Sequence, residues 1–399
     1  MAILFSIIFI GIVFIILTVD ALPQINTWQS RIKIGRFSTD QIWEGKVLHI
    51  SKKWLKNIPT IPLTDNKRLI IIDILKGNYK RTAIQSWQEA AIVLGLTEYI
   101  KNNKDEKTLK HILDFIIAKT DNLGAWKVKP TESDQAILAY AFINVGGINL
   151  QKYKPAFDET YQMILSLHGV DGTIAYKKHN RNFRFVDTIG FICPFLASYG
   201  LRFGVPEAVN LAVKQITEYQ QYGMMNDENI PCHTYNIESK IPTGLFGWGR
   251  GIGWFVIGLI DTWKVLPETH PNKEVLKKIV IDTANSVVKF QNENGSFHWL
   301  IFDNQSRLDS SLVATLSWFF TLASDIPEIS NMCIAAKVKG LKYLQSVTRR
   351  DGAIDFSQGD TKAIGIYSQN FDILPFTQGF TLRTIYYPTT INESVTIKN

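Results

Sequence analysis

The chain has 399 residues, 46% hydrophobic and 20% charged, a balance that excludes a disordered or collagen-like polymer and permits a substantial core. Three cysteines without a C-x-x-C pair, and seven histidines without H-x-H or H-E-x-x-H, exclude a zinc ribbon, a disulfide scaffold and the usual zinc sites. The net charge of +7 is spread along the chain with no dense Lys/Arg block, so an acidic substrate or an anionic membrane surface fits better than nucleic acid.

At the start of the chain, Ile3 to Val19 is a run of 17 residues without a charge. That is the short edge of a transmembrane helix and slightly long for the core of a signal peptide. No Lys or Arg precedes the run, whereas Arg31, Lys33 and Arg36 follow it. It reads first as a single-pass anchor; the positive-inside rule would then place the body in the cytoplasm, and the pattern leaves the side of the membrane open. Val19-Asp20-Ala21 keeps a second reading open, a cleaved signal with a secreted or periplasmic body. The expected organisation is an anchor or signal over 1–21, a linker over 22–38, one domain over 39–390 and a tail over 391–399. Nothing in the pattern sets an oligomeric state.

No linker or low-complexity stretch divides residues 40–390, but a repeat does. Hydrophobic periodicity predicts twelve helices that alternate in character. Val209, Val213, Ile216 and Tyr219 fall on one face of an amphipathic helix, whereas Ile189, Phe191, Ile192, Phe195 and Leu196 surround theirs. Amphipathic 108–119 and 273–291 stand against apolar 134–145 and 309–323 in the same way. Six such pairs predict an all-α (α/α)6 barrel, its apolar inner helices covered by amphipathic outer ones.

The loops repeat as well. A turn signal follows each outer helix (Asn122-Leu123-Gly124, Asp171-Gly172, Asn294-Gly295, Asp351-Gly352), then a short β-prone stretch. Inner helices then open with a polar residue: Asp134, Asp187, Arg250, Asp309 and Gln378, at intervals of 53, 63, 59 and 69 residues. With helix direction alternating, all five lie on one rim of the central cavity. An aspartate before an apolar helix is ordinarily a cap, and Asp309-Ser310-Ser311 fits that well. Capping explains neither the aromatics nor the arginine on the same rim. Asp134 and Asp187 on adjacent helices could share a site; mutual repulsion would raise one pKa, while the helix dipole favours the ionised form. The stretch Phe246-Gly247-Trp248-Gly249-Arg250-Gly251-Ile252-Gly253-Trp254 offers glycines for close backbone approach, a guanidinium fork for a carboxylate and indole faces for sugar rings, or tight helix packing through small residues. Neither a dinucleotide fingerprint nor a P-loop fits it. His233 lies in the loop before that stretch, and Cys193 reads as a buried, inert thiol.

Two of these segments carry a family likeness. Arg184-Phe185-Val186-Asp187-Thr188-Ile189-Gly190-Phe191 resembles the catalytic-aspartate segment of unsaturated glucuronyl and rhamnogalacturonyl hydrolases, glycoside hydrolase families 88 and 105. Gly247-Trp248-Gly249-Arg250-Gly251-Ile252-Gly253-Trp254 resembles their W-G/A-R-G-N-G-W signature, with Ile252 in place of the usual Asn. Asp309-Ser310-Ser311 and Phe376-Thr377-Gln378-Gly379-Phe380 are weaker echoes, so the likeness runs in order over 45–385. It implies a six-hairpin barrel that releases a 4,5-unsaturated uronic acid from an oligosaccharide by hydrating the vinyl ether, without metal or organic cofactor. By the same likeness Asp187 would be general acid and base, and Asp134 the second carboxylate, with Glu132 and Asp121 as alternatives. Arg250, Trp248, Trp254, His233 and Asp309 would bind substrate, and Phe185, where relatives often carry tryptophan, would stack on it. The rival reading is a membrane-held polysaccharide-binding or assembly protein on the same barrel, against which the pairing of Asp187 with the Arg250 motif argues. A lyase is a fainter rival, its base pair offered by Tyr235 and His233.

Overall fold

In the computed structural model, residues 1–59, 61, 70–76, 85–225, 228–361 and 363–388 are described; the tail expected over 391–399 lies outside them. Outer and inner helices alternate along the chain. They run α1 (Asp40–Lys56), α2 (Ser86–Asn102), α3 (Glu106–Lys119), α4 (Ala136–Ile143), α5 (Lys154–Ser166), α6 (Val186–Phe203), α7 (Pro206–Tyr222), α8 (Gly249–Val265), α9 (Lys273–Val287), α10 (Ser310–Ala323), α11 (Ser330–Ser346) and α12 (Pro375–Tyr386). The even-numbered helices form a closed inner ring, each packed on its two even neighbours, with α12 returning to α2. Every residue of α4 and α10 is buried, as a helix covered on all sides requires, whereas α3 and α7 bury one face. Trp254, Trp318, Phe195 and Phe255 are among the largest side chains in this core. Burying a side chain of this class stabilises the fold by about 1.5–3 kcal/mol.

Inner helices touch closely where they lack side chains. A Cβ on Gly258 of α8 would stand 2.4 Å from the Ile189 carbonyl oxygen of α6, which only glycine avoids. The repeated turns are the expected ones. Gly124, Gly172, Gly295 and Gly352 all adopt left-handed φ between +76° and +100°, and a short antiparallel bridge closes three of the loops, as at Thr348 and Ile354.

Two arrangements differ from the sequence-based expectation. The apolar run continues as one helix, Ala2–Arg31, through the segment expected to be a linker. A π-helical turn at Leu17–Ala21 precedes Pro23 and takes up the hydrogen-bonding disruption that a proline imposes. The first barrel helix then starts at Asp40, capped by Thr39. That helix, α1, runs against the other outer helices: Asp40 accepts from Gln345 at one rim (3.0 Å), and Lys52 meets Asp105 at the other (2.7 Å). Chain direction follows from the entry point, because Gly35 is bonded to Thr348 on the rim where the inner helices begin.

Above that rim lies a small antiparallel sheet of β1 (Phe183–Phe185), β2 (Met224–Met225), β3 (Ile230–Asn236) and β4 (Pro242–Phe246), with β3 paired to all the others. β1 runs directly into α6, and β4 leads into α8. A second pair, β5 (Ser357–Gln358) and β6 (Phe371–Asp372), lies in the loop between α11 and α12.

Candidate active site

All six inner helices begin at the sheet-covered rim, and a cavity of about 570 Å³ opens there. Asp134 from the turn before α4, Asp187 from α6 and Arg250 from α8 all reach it. Phe185, Phe191, His233, Trp248 and Trp254 complete much of the aromatic wall.

Asp187 carries the strongest electrostatic signature. Its side chain is 14% exposed, and Oδ2 is buried without a hydrogen-bond partner. Burial pushes its pKa up to about 7; the charges of Asp360 and Asp134 add to the rise, while its own backbone N–H and Arg250 oppose it. Repulsion by Asp134 is thus the lesser cause, and desolvation against the aromatics the greater. Asp134 is pushed up to about 6, again mainly by burial and then by Glu132. Of the alternative second acids, Glu132 pairs with Lys177 (2.8 Å) and Asp121 binds its own turn; neither lines the cavity.

His233 stands in β3, not in a loop, where the ladder slips between Cys232 and Thr234. Such an irregularity re-aims a side chain. Its Nδ1 lies 3.0 Å from the Tyr367 hydroxyl, and its Nε2 is 3.6 Å from Asp187 Oδ2, beyond hydrogen-bonding distance. Burial lowers its pKa to about 4, so the ring is neutral near pH 7. Phe185 meets it edge-on, and Trp248 packs at 4.6 Å.

Arg250 is not the free fork the sequence suggested. Nε donates to Ser311 Oγ (3.2 Å) and Nη2 to the Gln358 carbonyl, so among the described residues only Nη1 lacks a partner. The guanidinium also lies 5.6 Å from the Trp87 ring. Glycines 247, 249, 251 and 253 face protein rather than cavity: added Cβ atoms would meet Ile301, Leu312, Trp248 and Thr315. Tight packing is therefore the role of the three in the helix, and Gly247 also supplies a left-handed backbone (φ +75°). Ile252, at the variant position of the signature, is wholly buried.

Asp309 departs from its expected place. It does not line the cavity; it is fully buried and caps α10, accepting from the backbone N–H groups of Ser311 (2.9 Å) and Gln358 (3.0 Å). Ser311 also gives Asp309 its hydroxyl proton while accepting from Arg250, so Asp309 acts behind the arginine. Gln378 likewise braces the scaffold, bonding Val47, Gly352 and Ile354.

The sequence reading missed Asp360, Gln85, Trp87 and Tyr176, which all line the cavity. Gln85 donates to Asp360, whose carboxyl burial raises above its ordinary range. One signal was present: the longest interval, between Asp309 and Gln378, contains the loop bearing Asp360. Another was the first inner helix, α2, whose opening at Gln85–Trp87 continues the rim series backwards.

Comparisons with known proteins agree with this architecture. The family model for Glycosyl Hydrolase Family 88 matches residues 67–370. Over 89 residues the chain is 24% identical to the unsaturated rhamnogalacturonyl hydrolase YesR of Bacillus subtilis (strain 168), a match spanning 22% of this chain and 26% of that protein. A possible member of the GH105 family from Klebsiella pneumoniae superposes with a TM-score of 0.73 at 15% identity, over 88% of this chain and 94% of that one. The unsaturated glucuronyl hydrolase of Bacillus sp. GL1 does so with a TM-score of 0.64 at 15% identity, over 86% and 95%. At these identities the two structures bear on the fold: the chain has their six-hairpin helical barrel.

Proposed function

The chain belongs to glycosyl hydrolase family 88, and from that membership and the chemistry of the rim we propose that it removes a 4,5-unsaturated uronic acid from the non-reducing end of an oligosaccharide. The observation that carries this reading is Asp187: a carboxyl facing a cavity, its Oδ2 unpartnered, with a pKa near 7. Such a group holds a proton at neutral pH and takes one back readily. Asp187 gives its proton to C4 of the enol ether, leaving positive charge shared between C5 and the ring oxygen. Water adds at C5 and returns a proton to the Asp187 carboxylate. The resulting hemiketal opens, and the exposed C1 hemiacetal releases the rest of the chain. Asp134 orders water or substrate, Nη1 of Arg250 meets the uronate carboxylate, and Phe185 and Trp248 offer ring faces.

Incubation with lyase-generated unsaturated oligosaccharides tests this directly. The enol-ether absorbance should disappear, while saturated uronides of the same linkage remain intact. Cleavage of both would point to ordinary attack at the anomeric carbon, and cleavage of neither would retire the activity.

The N-terminal helix supports a membrane anchor as the cell-level partner. Ala2–Arg31 has 30 residues, a mean hydropathy of 3.1 in its most apolar window and no buried residue in that window. The N-terminus of the protein from its own cells decides between anchor and signal. Intact Met1 in the membrane fraction supports the anchor; a soluble form beginning near Ala21 supports cleavage.

A further inference from the structure

The loop between α11 and α12 brings Asp360, Thr361, Ala363 and Ile364 to the cavity, and it is fastened from the far end of the sequence. Gln358 accepts from Arg250 through its carbonyl and from Trp248 Nε1 through its side chain (3.0 Å), and Asp360 stands in the cavity wall. Tyr367, beyond it, meets His233. Just before Gln358, Phe356 adopts φ +60°, a left-handed conformation that a bulky side chain avoids. Strain of this kind persists only where the surroundings over-determine it, and it concentrates at functional sites.

Here the surroundings include Arg31. Its Nε and Nη2 donate to Asp355 Oδ2 (2.6 Å) and Oδ1 (2.9 Å), a two-point pair across 324 residues of sequence, and its guanidinium lies 4.9 Å from the Phe356 ring. Asp355 is fully buried; it also accepts from Arg349 (2.6 Å) and from the Phe356 N–H (2.7 Å). Adjacent backbone bonds, Arg350 N–H to Ser30 and Gly35 N–H to Thr348, fix Arg31 in place. We propose that Arg31 is a positioning residue of the active site: by clamping Asp355 it holds the strained Phe356 turn, and so keeps Gln358 and Asp360 where they complete the cavity. Arg31 lies downstream of any cleavage near Ala21, so the clamp is present whether the helix is anchor or signal. Its catalytic consequence rests on the activity proposed above; the clamp itself does not.

Hydrogen exchange on the full chain separates the two. In Arg31→Ala, amides of 354–361 should exchange about tenfold faster or more, while those of 189–200 in α6 stay unchanged, because one charge-assisted pair is lost locally. With unsaturated oligosaccharide, KM should rise about tenfold with a smaller change in kcat. Arg31→Lys should recover only part, since an ammonium cannot make the two-point contact. Asp355→Asn should reproduce the exchange pattern. Unchanged exchange over 354–361, or a uniform rise across the barrel, would overturn the clamp. If the wild-type chain turns nothing over, the activity reading fails and exchange still decides the clamp.

Discussion

Two aspartates of the inner helices, Asp187 with one buried oxygen and Asp261 with its whole side chain buried, stand at opposite ends of the ring and are treated in opposite ways. At the closed end, Asp261 of α8 accepts from Arg383 Nη1 (2.6 Å) and Trp318 Nε1 (2.8 Å). Arg383 reaches the Tyr140 hydroxyl (3.1 Å) and stacks on Trp318 at 3.8 Å. At the open end, Asp187 keeps an unpartnered oxygen beside two other carboxyls that burial also makes hard to ionise. The same helices thus join a charge network that locks the barrel to a site where charge is left unsatisfied. Unpaired polar groups in a native interior call for a functional explanation, and here the cavity supplies one.

Replacing each aspartate separates the two roles. Asp187→Asn should lower turnover of unsaturated oligosaccharide by about 10²–10⁴-fold, the usual contribution of a general acid–base group, measured by enol-ether loss. It should not weaken the fold. A carboxyl whose native pKa lies above its unfolded value costs stability progressively as pH rises from about 4 through about 7, so the amide variant should melt at or above wild type at pH 8. Asp261→Asn should do the reverse. Leaving Arg383 buried without its anion should cost about 3–5 kcal/mol by denaturant titration, with kcat of the folded fraction little changed. Substantial loss of turnover in Asp261→Asn, or of stability in Asp187→Asn, would break the contrast.

Arg250 belongs to both worlds, because two of its nitrogens serve the scaffold. Arg250→Ala should weaken binding of acidic disaccharides by about ten- to hundred-fold relative to neutral ones of equal size, and it should also lower Tm. Equal losses for acidic and neutral ligands would leave the arginine only its bracing role.

The inner and outer helices were readable because burial on all sides and burial on one face leave different periodicities. Asp134 and Asp187 were readable because polar residues opening apolar helices fall at a regular spacing. The same signature misled at Asp309, since a cap and a ligand-facing acid look alike until the rotamer is known. Asp360 was hidden in a loop without periodicity, held in place by Gln85 from a distant helix start and by Arg31 before the barrel. The bracing of Arg250 depended likewise on a carbonyl 108 residues away, which no local pattern encodes. The reversed course of α1 followed from where the N-terminal helix docks.

The central claim is that the open end holds a carboxyl protonated near neutrality, and its titration can be followed directly. With aspartates labelled at the side-chain carboxyl carbon, the resonance that disappears in Asp187→Asn belongs to Asp187. The account predicts that this resonance titrates near pH 7 in the ligand-free protein, about three pH units above an ordinary aspartate. Titration near pH 4 would mean that Asp187 is ionised at neutral pH, and would contradict its role as the acid.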